Sequence, residues 1–485
     1  MTAHGPTNSP AALPIAGAIT PVTLPARPGP TTRVVVPLPR LSPGIRQFLA
    51  TEAGSATLLL AAAVVALVWA NVPGWATYES VWSTMASIRV GNWVFALDLR
   101  HWINDAAMAI FFLVVGLEIS RELTVGDLRS VHSVAAPALG ALGGLAVPAV
   151  IYALINHGGP GAHGWGIPMS TDTAFLVGIL ALFGPRCPDR LRLFLLTLAI
   201  VDDIVAIIVI GLFYTTHVSL VALSIAMLLV VVLLIMRWQR IWRLSPYVVV
   251  GIGLWLAVHA SGAHPTLAGV IVGLVIPAMP VEPTQSERFR VYGKALIERA
   301  EPVRARLTIS AARASVPAND RMQETLHPIS AFVVVPLFGL ANAGVHLDGA
   351  VLRQAATSPV TMGILIGLVF GNTIGITLGA TIALRSGLGA LPGGVRYGHL
   401  IGGAVLAGIG FTISLFITDL AFQSESLRAQ AKIGVLGGSL LAAALGSVLL
   451  RYLGERLPLC TLDDETIIPA LPPRPWLDPG APVPA

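Results

Sequence analysis

The sequence predicts an all-α polytopic membrane protein with about twelve transmembrane helices. Three observations lead there. Composition is the first: 55% of the 485 residues are hydrophobic, 11% are charged and mean hydropathy is +0.78. A soluble domain carries about 25% charged residues. The second is twelve apolar stretches, at 55–71, 101–117, 134–155, 166–184, 191–214, 218–236, 246–261, 263–279, 329–345, 358–383, 398–421 and 430–451. Most approach the roughly 17–25 residues that cross the hydrocarbon as a helix. The third is the alternation of basic residues. With the N-terminus inside, the inner segments hold 25 of the 30 Lys and Arg. The outer loops hold five: Arg89, Arg100, Arg353, Arg428 and Lys432. Cytoplasmic loops carry such an excess, so both ends are expected in the cytoplasm of a cell membrane protein.

The net charge of +5 is then a topological signal. No compact basic face with interleaved aromatics points to nucleic acid. Cys187 and Cys460 both fall on the expected cytoplasmic side, where a disulfide is disfavoured, and no metal-ligand spacing occurs.

Taken in order, residues 1–47 open on a Pro-, Ala- and Thr-rich stretch and read as a disordered cytoplasmic tail. The transmembrane domain is expected over 48–452. Within it, SIRVGNWVFALDL (86–98) alternates apolar and polar residues around Gly91-Asn92, the pattern of a β-hairpin, here on the outer face. GIPMSTDTAF (166–175) and AGIGFTIS (407–414) put Pro, Gly and hydroxyl residues at membrane depth. Irregular backbone is tolerated there only when buried in protein or lining a cavity. The bland reading is close helix packing by small residues, and among 49 glycines it holds for most. Residues 281–328 read as a cytoplasmic loop with an amphipathic helix near 284–307. Residues 453–485 read as a Pro-rich cytoplasmic tail.

Five carboxylates fall within or at the edges of these spans: Asp105, Asp172, Asp202, Asp203 and Asp419. No basic residue lies well inside one. An Asp at a helix centre costs roughly 2.5–3.5 kcal/mol to insert. A carboxyl that is costly as an anion can take a proton, or it can take a cation. A site offering that choice can exchange one for the other. Adjacent helical residues point about 100° apart, so Asp202 and Asp203 cannot face the same neighbour. One can face a cavity while the other meets a packed helix.

Six motifs then become informative together: WINDAAMAIFFLVVGLEISREL (102–123), STDTAFLVGILALFG (170–184), LAIVDDIVAIIVIGLFY (198–214), HPTLAGVIVGLVIP (264–277), HPISAFVVVPLFGLANAGV (327–345) and GIGFTISLFI (408–417). In this order and spacing they resemble the NhaA family of bacterial sodium/proton antiporters. The resemblance covers about residues 48–452. It implies inverted repeats, with the fourth and eleventh helices interrupted and crossing near the midplane. It also implies exchange of Na⁺ or Li⁺ for H⁺ across the bacterial inner membrane for pH and sodium homeostasis, no cofactor, and homodimers held partly by the outer hairpin.

By position, Asp203 and Asp202 match the family's cation- and proton-binding pair, with Asp203 the direct cation ligand. Asp172 and Thr171 fall in the interrupted fourth helix, where the Asp172 charge balances half-helix ends. Asp105 matches an acid lining the site. Glu118, Glu122, His264 and His327 match positions tied to pH response or the cytoplasmic funnel; as interface charges they would need no such role. Two departures stand out. Where the family carries a lysine in its tenth helix, residues 371–376 read GNTIGI and Asn372 replaces it. Before the ninth helix, Gln323-Glu324 replaces a Glu-His pair, after an enlarged loop.

The alternatives are an intramembrane aspartyl protease, with Asp172 and Asp203 sharing a proton, and a cation-coupled solute transporter or channel. The protease would carry Gly-x-Gly-Asp, but Phe411 stands where that acid belongs. The small polar lining suits a bare cation better than an organic solute.

Overall fold

The computed structural model describes residues 52–73, 76–91, 93–126, 131–183, 189–215, 219–241, 243–278, 283–391 and 395–456. The expected N-terminal tail, nearly all of the C-terminal one and both cysteines lie outside them.

The protein is an all-helical polytopic membrane protein with one small hairpin. Helix α1 (Glu52–Trp69) and the short α2 (Ala76–Trp82) precede it. Strands β1 (Met85–Val90) and β2 (Trp93–Asp98) pair antiparallel, Met85 opposite Asp98 and Val90 opposite Trp93. Gly91 takes φ +60° at the turn, a conformation glycine adopts without strain. Asp98 ends the hairpin and accepts the His101 N–H at 2.7 Å, capping α3 (Leu99–Thr124). Next come α4 (Val131–Ile155), a 3₁₀ segment (Ala162–Met169) and α5 (Thr173–Phe183). Then follow α6 (Asp189–Phe213), α7 (Leu220–Trp238), α8 (Leu244–Ser261) and α9 (Thr266–Val275). Gly262, at φ +82°, closes α8.

Past α9 the chain differs from the single amphipathic helix expected at 284–307. It forms two helices, α10 (Pro283–Glu298) and α11 (Pro302–Ala314). Pro302 sits in the first turn of α11, where its missing N–H costs nothing, whereas inside a continuous helix it would break a hydrogen bond. Helix α12 (Ala318–Asn342) starts well before residue 329. It runs through Pro328 and relaxes into a π turn at Ser330–Val334. After α13 (Gly349–Thr357), α14 (Pro359–Arg385) carries a second π turn at Gly367–Gly371. Helices α15 (Tyr397–Leu406) and α16 (Phe411–Ala421) are bent 46° apart across a short break, and α17 (Glu425–Arg456) ends the described chain.

Among the described residues eight helices are long and apolar enough to cross a membrane, and the bent pair makes a ninth. The other three expected apolar segments are the shorter α1 and α9 and the interrupted 162–183.

Helices in lipid gain little from burying apolar surface against one another, so close contact holds them together. Helix α9 lies on α3 through glycine: a Cβ on Gly273 would sit 2.5 Å from the Leu113 carbonyl oxygen. Likewise α4 meets α14 where a Cβ on Gly143 would sit 2.1 Å from the Gly375 carbonyl oxygen. These contacts hold α3, α4 and α14 around the two interrupted spans.

One sequence expectation is overturned. Lys432 was counted in an outer loop, but α17 begins at Glu425, so Lys432 stands two turns inside it and is 7% exposed. The polar run ESLRAQAK hides the helix start from a hydropathy count, while its Glu, Leu, Arg, Ala and Gln residues favour helix.

Candidate functional site

The interrupted spans meet as two extended segments. After the 3₁₀ turn ending at Met169, Ser170 is extended (φ −97°, ψ 151°). The Asp172 N–H donates to the Ile409 carbonyl at 2.6 Å, and Thr171 Oγ1 donates to the Ala407 carbonyl at 2.8 Å. Backbone groups freed by the breaks therefore satisfy one another. Ser414 Oγ donates to the Ile167 carbonyl at 2.6 Å. Gly410 must be glycine, since a Cβ there would lie 2.7 Å from the Ser170 carbonyl oxygen.

Asp172 closes this crossing. Its Oδ1 accepts the Phe175 N–H at 3.2 Å, in the first turn of α5. Its Oδ2 accepts the Thr412 N–H at 3.0 Å, in the first turn of α16, and also the Thr412 hydroxyl. Helix N-termini carry partial positive charge and unpaired N–H groups. Two of them converge on one carboxylate that is 5% exposed.

The adjacent acids on α6 diverge. Asp202 turns to the crossing, where its Oδ2 accepts the Thr171 N–H at 2.8 Å, and it is 3% exposed. Asp203 turns to a cavity of about 350 Å³ that Asp172, Thr171 and Thr412 also line. Among the described residues nothing donates a hydrogen bond to its carboxylate, and the charges acting on it are those of Asp202, Glu118 and Asp172, all acidic. The cavity runs on past Glu118 and Arg121 to Glu122, Gln323 and His327 at the ends of α3 and α12. There Arg121 lies 3.7 Å from Asp320.

Three expected residues lie elsewhere. Asp105 does not line this cavity. It sits in a π turn at Trp102–Ala107, 3.9 Å from His259 Nδ1, among Trp102, Trp255 and Phe95 behind the hairpin. His264 binds the Tyr214 carbonyl at 3.0 Å between α8 and α9. Asn372 is fully buried beside the crossing and donates to the Pro168 carbonyl at 3.2 Å and to Leu368 at 3.3 Å. It braces the interrupted fourth span from behind.

The sequence reading missed a second buried polar group. Asn104 and Asn342 exchange side-chain amide hydrogen bonds at 2.8 and 3.3 Å. Asn104 also donates to Asp419 Oδ2 at 3.4 Å, and Lys432 Nζ stands 3.8 Å from Asp419 Oδ1. Two intramembrane amides inside WINDAA and GLANAG were the available signal.

The chain is similar in sequence to known antiporters. A family model described as Na+/H+ antiporter 1 matches residues 46–450. The chain is 61% identical to Na(+)/H(+) antiporter NhaA 3 of Frankia alni, over 96% of this chain and 99% of that one. It is 42% identical to Na(+)/H(+) antiporter NhaA 1 of Mycolicibacterium vanbaalenii, over 85% of this chain and 67% of that one.

Proposed function

We propose how the chain works from one premise: it belongs to the Na+/H+ antiporter 1 family. It exchanges Na⁺ for H⁺ across the membrane, and the two ions compete for buried carboxylates by alternating access. One observation carries this reading. Asp203 offers to a cavity of about 350 Å³ a carboxylate that accepts no hydrogen bond among the described residues, and the charges acting on it are acidic. Such a site has surplus acceptors and, among the described residues, no cation acting on Asp203, so a hard cation or a proton completes it.

The roles divide by what each oxygen already holds. Asp203 is the direct ligand for Na⁺ or Li⁺. Asp202 keeps one oxygen on the Thr171 N–H and has the other to share, so it holds the second proton or a further cation contact. The Asp172 oxygens are occupied by Phe175 and Thr412, so it acts through charge. That occupancy also argues against a protease dyad, in which Asp172 would share a proton with Asp203.

The basic residues support an inward N-terminus, and moving Lys432 out of the outer loops sharpens that alternation. The cavity mouth at Glu118, Glu122 and His327 then faces the cytoplasm, where these groups meet the internal pH. Exposed Met85, Ile88 and Val94 on the hairpin support pairing with a second copy. The test is everted vesicles with an imposed pH gradient and a quenched pH dye. Adding Na⁺ or Li⁺ restores the fluorescence; unchanged quenching at every pH would sink the reading.

A further inference from the structure

Helix α16 carries three different surfaces on successive turns. Thr412 faces the site. Phe416, 1% exposed, packs against Phe112 at 5.6 Å and Phe338 at 6.3 Å between ring centroids. Asp419 joins Lys432, Asn104 and Asn342. At 1.5 Å rise per residue, Thr412 and Asp419 are about 10 Å apart along the axis. The cavity is lined by Thr412 and Ile413, and neither Phe416 nor Asp419 lines it. The way beyond the site is therefore shut first by aromatic rings and then by a charged pair.

That pair is built loosely. The charges acting on Lys432 are led by Asp419, followed by Arg100, Glu79 and Arg428. Yet the Lys432 ammonium and Asp419 Oδ1 are 3.8 Å apart, and Oδ1 accepts no hydrogen bond among the described residues. Removing two charges from water costs several kcal/mol per ion, and only excellent geometry repays it. A pair this imperfect gains little from staying dry. Water entering between α16, α17, α3 and α12 would satisfy the free oxygen and the ammonium at once. Four side chains from four helices thus form a contact that is stable when closed and cheap to hydrate when open.

We propose that Asp419, Lys432, Asn104 and Asn342 form the gate on the far side of the site from the cavity mouth, shut in this conformation. The proposal rests on the exchange reading, because only a transporter with alternating access needs such a gate. Opening separates Asp419 from Lys432 and lets the Phe416 turn of α16 move away, so that the site meets the opposite face.

The experiment compares Na⁺ half-saturation from the two membrane faces, in right-side-out and everted vesicles. Wild-type exchange in both tests the underlying reading. Asp419→Asn and Asn104→Ala each weaken the closed state. Half-saturation then falls at the far face and rises at the cavity face, changing their ratio by about threefold or more. The exchange Asp419→Lys with Lys432→Asp restores the ratio towards wild type. A merely structural cluster would change protein yield, or both faces equally. An unchanged ratio in folded Asp419→Asn overturns the gate. Should that variant fail to fold, an unchanged ratio in Asn104→Ala does the same.

Discussion

Asp172 accepts the backbone N–H of Thr412 at 3.0 Å while capping its own helix through Phe175 at 3.2 Å. One carboxylate thus ties together two half-helices that are far apart in sequence. On the proposed reading it offsets the positive ends that would otherwise repel a cation arriving at Asp203. Removing it exposes both ends to the site.

Asp172→Ala is therefore expected to raise the Na⁺ half-saturation constant without stopping exchange. The interaction of a charge with a helix end is worth about 1 kcal/mol, which corresponds to about fivefold in affinity. Vesicle dequenching titrated with Na⁺ measures it. An unchanged constant across the pH range would leave Asp172 a purely structural role.

Asp203→Asn abolishes Na⁺-dependent proton movement in a folded protein, because Asn keeps the shape but holds neither ion. Asp202→Asn is severe without being complete, since the amide oxygen still accepts the Thr171 N–H. Chromatographic monodispersity establishes folding, and normal exchange by Asp203→Asn would refute the site.

If proton and cation compete for one carboxylate, as proposed, the Na⁺ half-saturation constant rises as pH falls. The slope approaches about tenfold per pH unit for one competing proton once the carboxylate is mostly protonated. The maximal rate at saturating Na⁺ changes less than the constant does. A constant that stays flat across the pH range in which exchange activity itself falls would exclude direct competition.

Asn372 cannot titrate, and it already donates to the Pro168 carbonyl. If protons ride on Asp202 and Asp203, the chain moves two H⁺ per Na⁺ and responds to membrane potential. Transport at symmetric pH under a clamped potential decides this; turnover indifferent to potential means one proton is exchanged. Asn372→Lys is the companion variant, and it adds voltage dependence only if a lysine there carries the proton.

Gly143→Ala tests the packing that holds the crossing. The new methyl would meet the Gly375 carbonyl carbon at 2.8 Å as well as its oxygen at 2.1 Å, so α4 and α14 must separate. Overpacking of this kind costs about 1–3 kcal/mol. A lowered unfolding temperature in detergent is expected, and an unchanged one would mean the contact is slack.

The membrane class, most helical segments, the hairpin and the presence of Asp172, Asp202 and Asp203 at membrane depth were legible from sequence alone. Each follows from a local rule: apolar length, period-two alternation about a Gly-Asn turn, and the cost of an acid in lipid. The sequence also fixed that two neighbouring acids must diverge, because a helix turns about 100° per residue. Which acid faces the cavity depended on tertiary structure, since the choice is made by where Thr171 falls in a different segment. Asp105 left the site for the same reason: its motif placed it near the other acids in kind, but its π turn directs it to His259. Lys432 shows the converse. At the edge of an apolar stretch a lysine reads as a loop charge, whereas Asp419 on another helix supplies the opposite charge beside which it is buried. Pairings between distant segments have no local signature, and only the folded chain decides them.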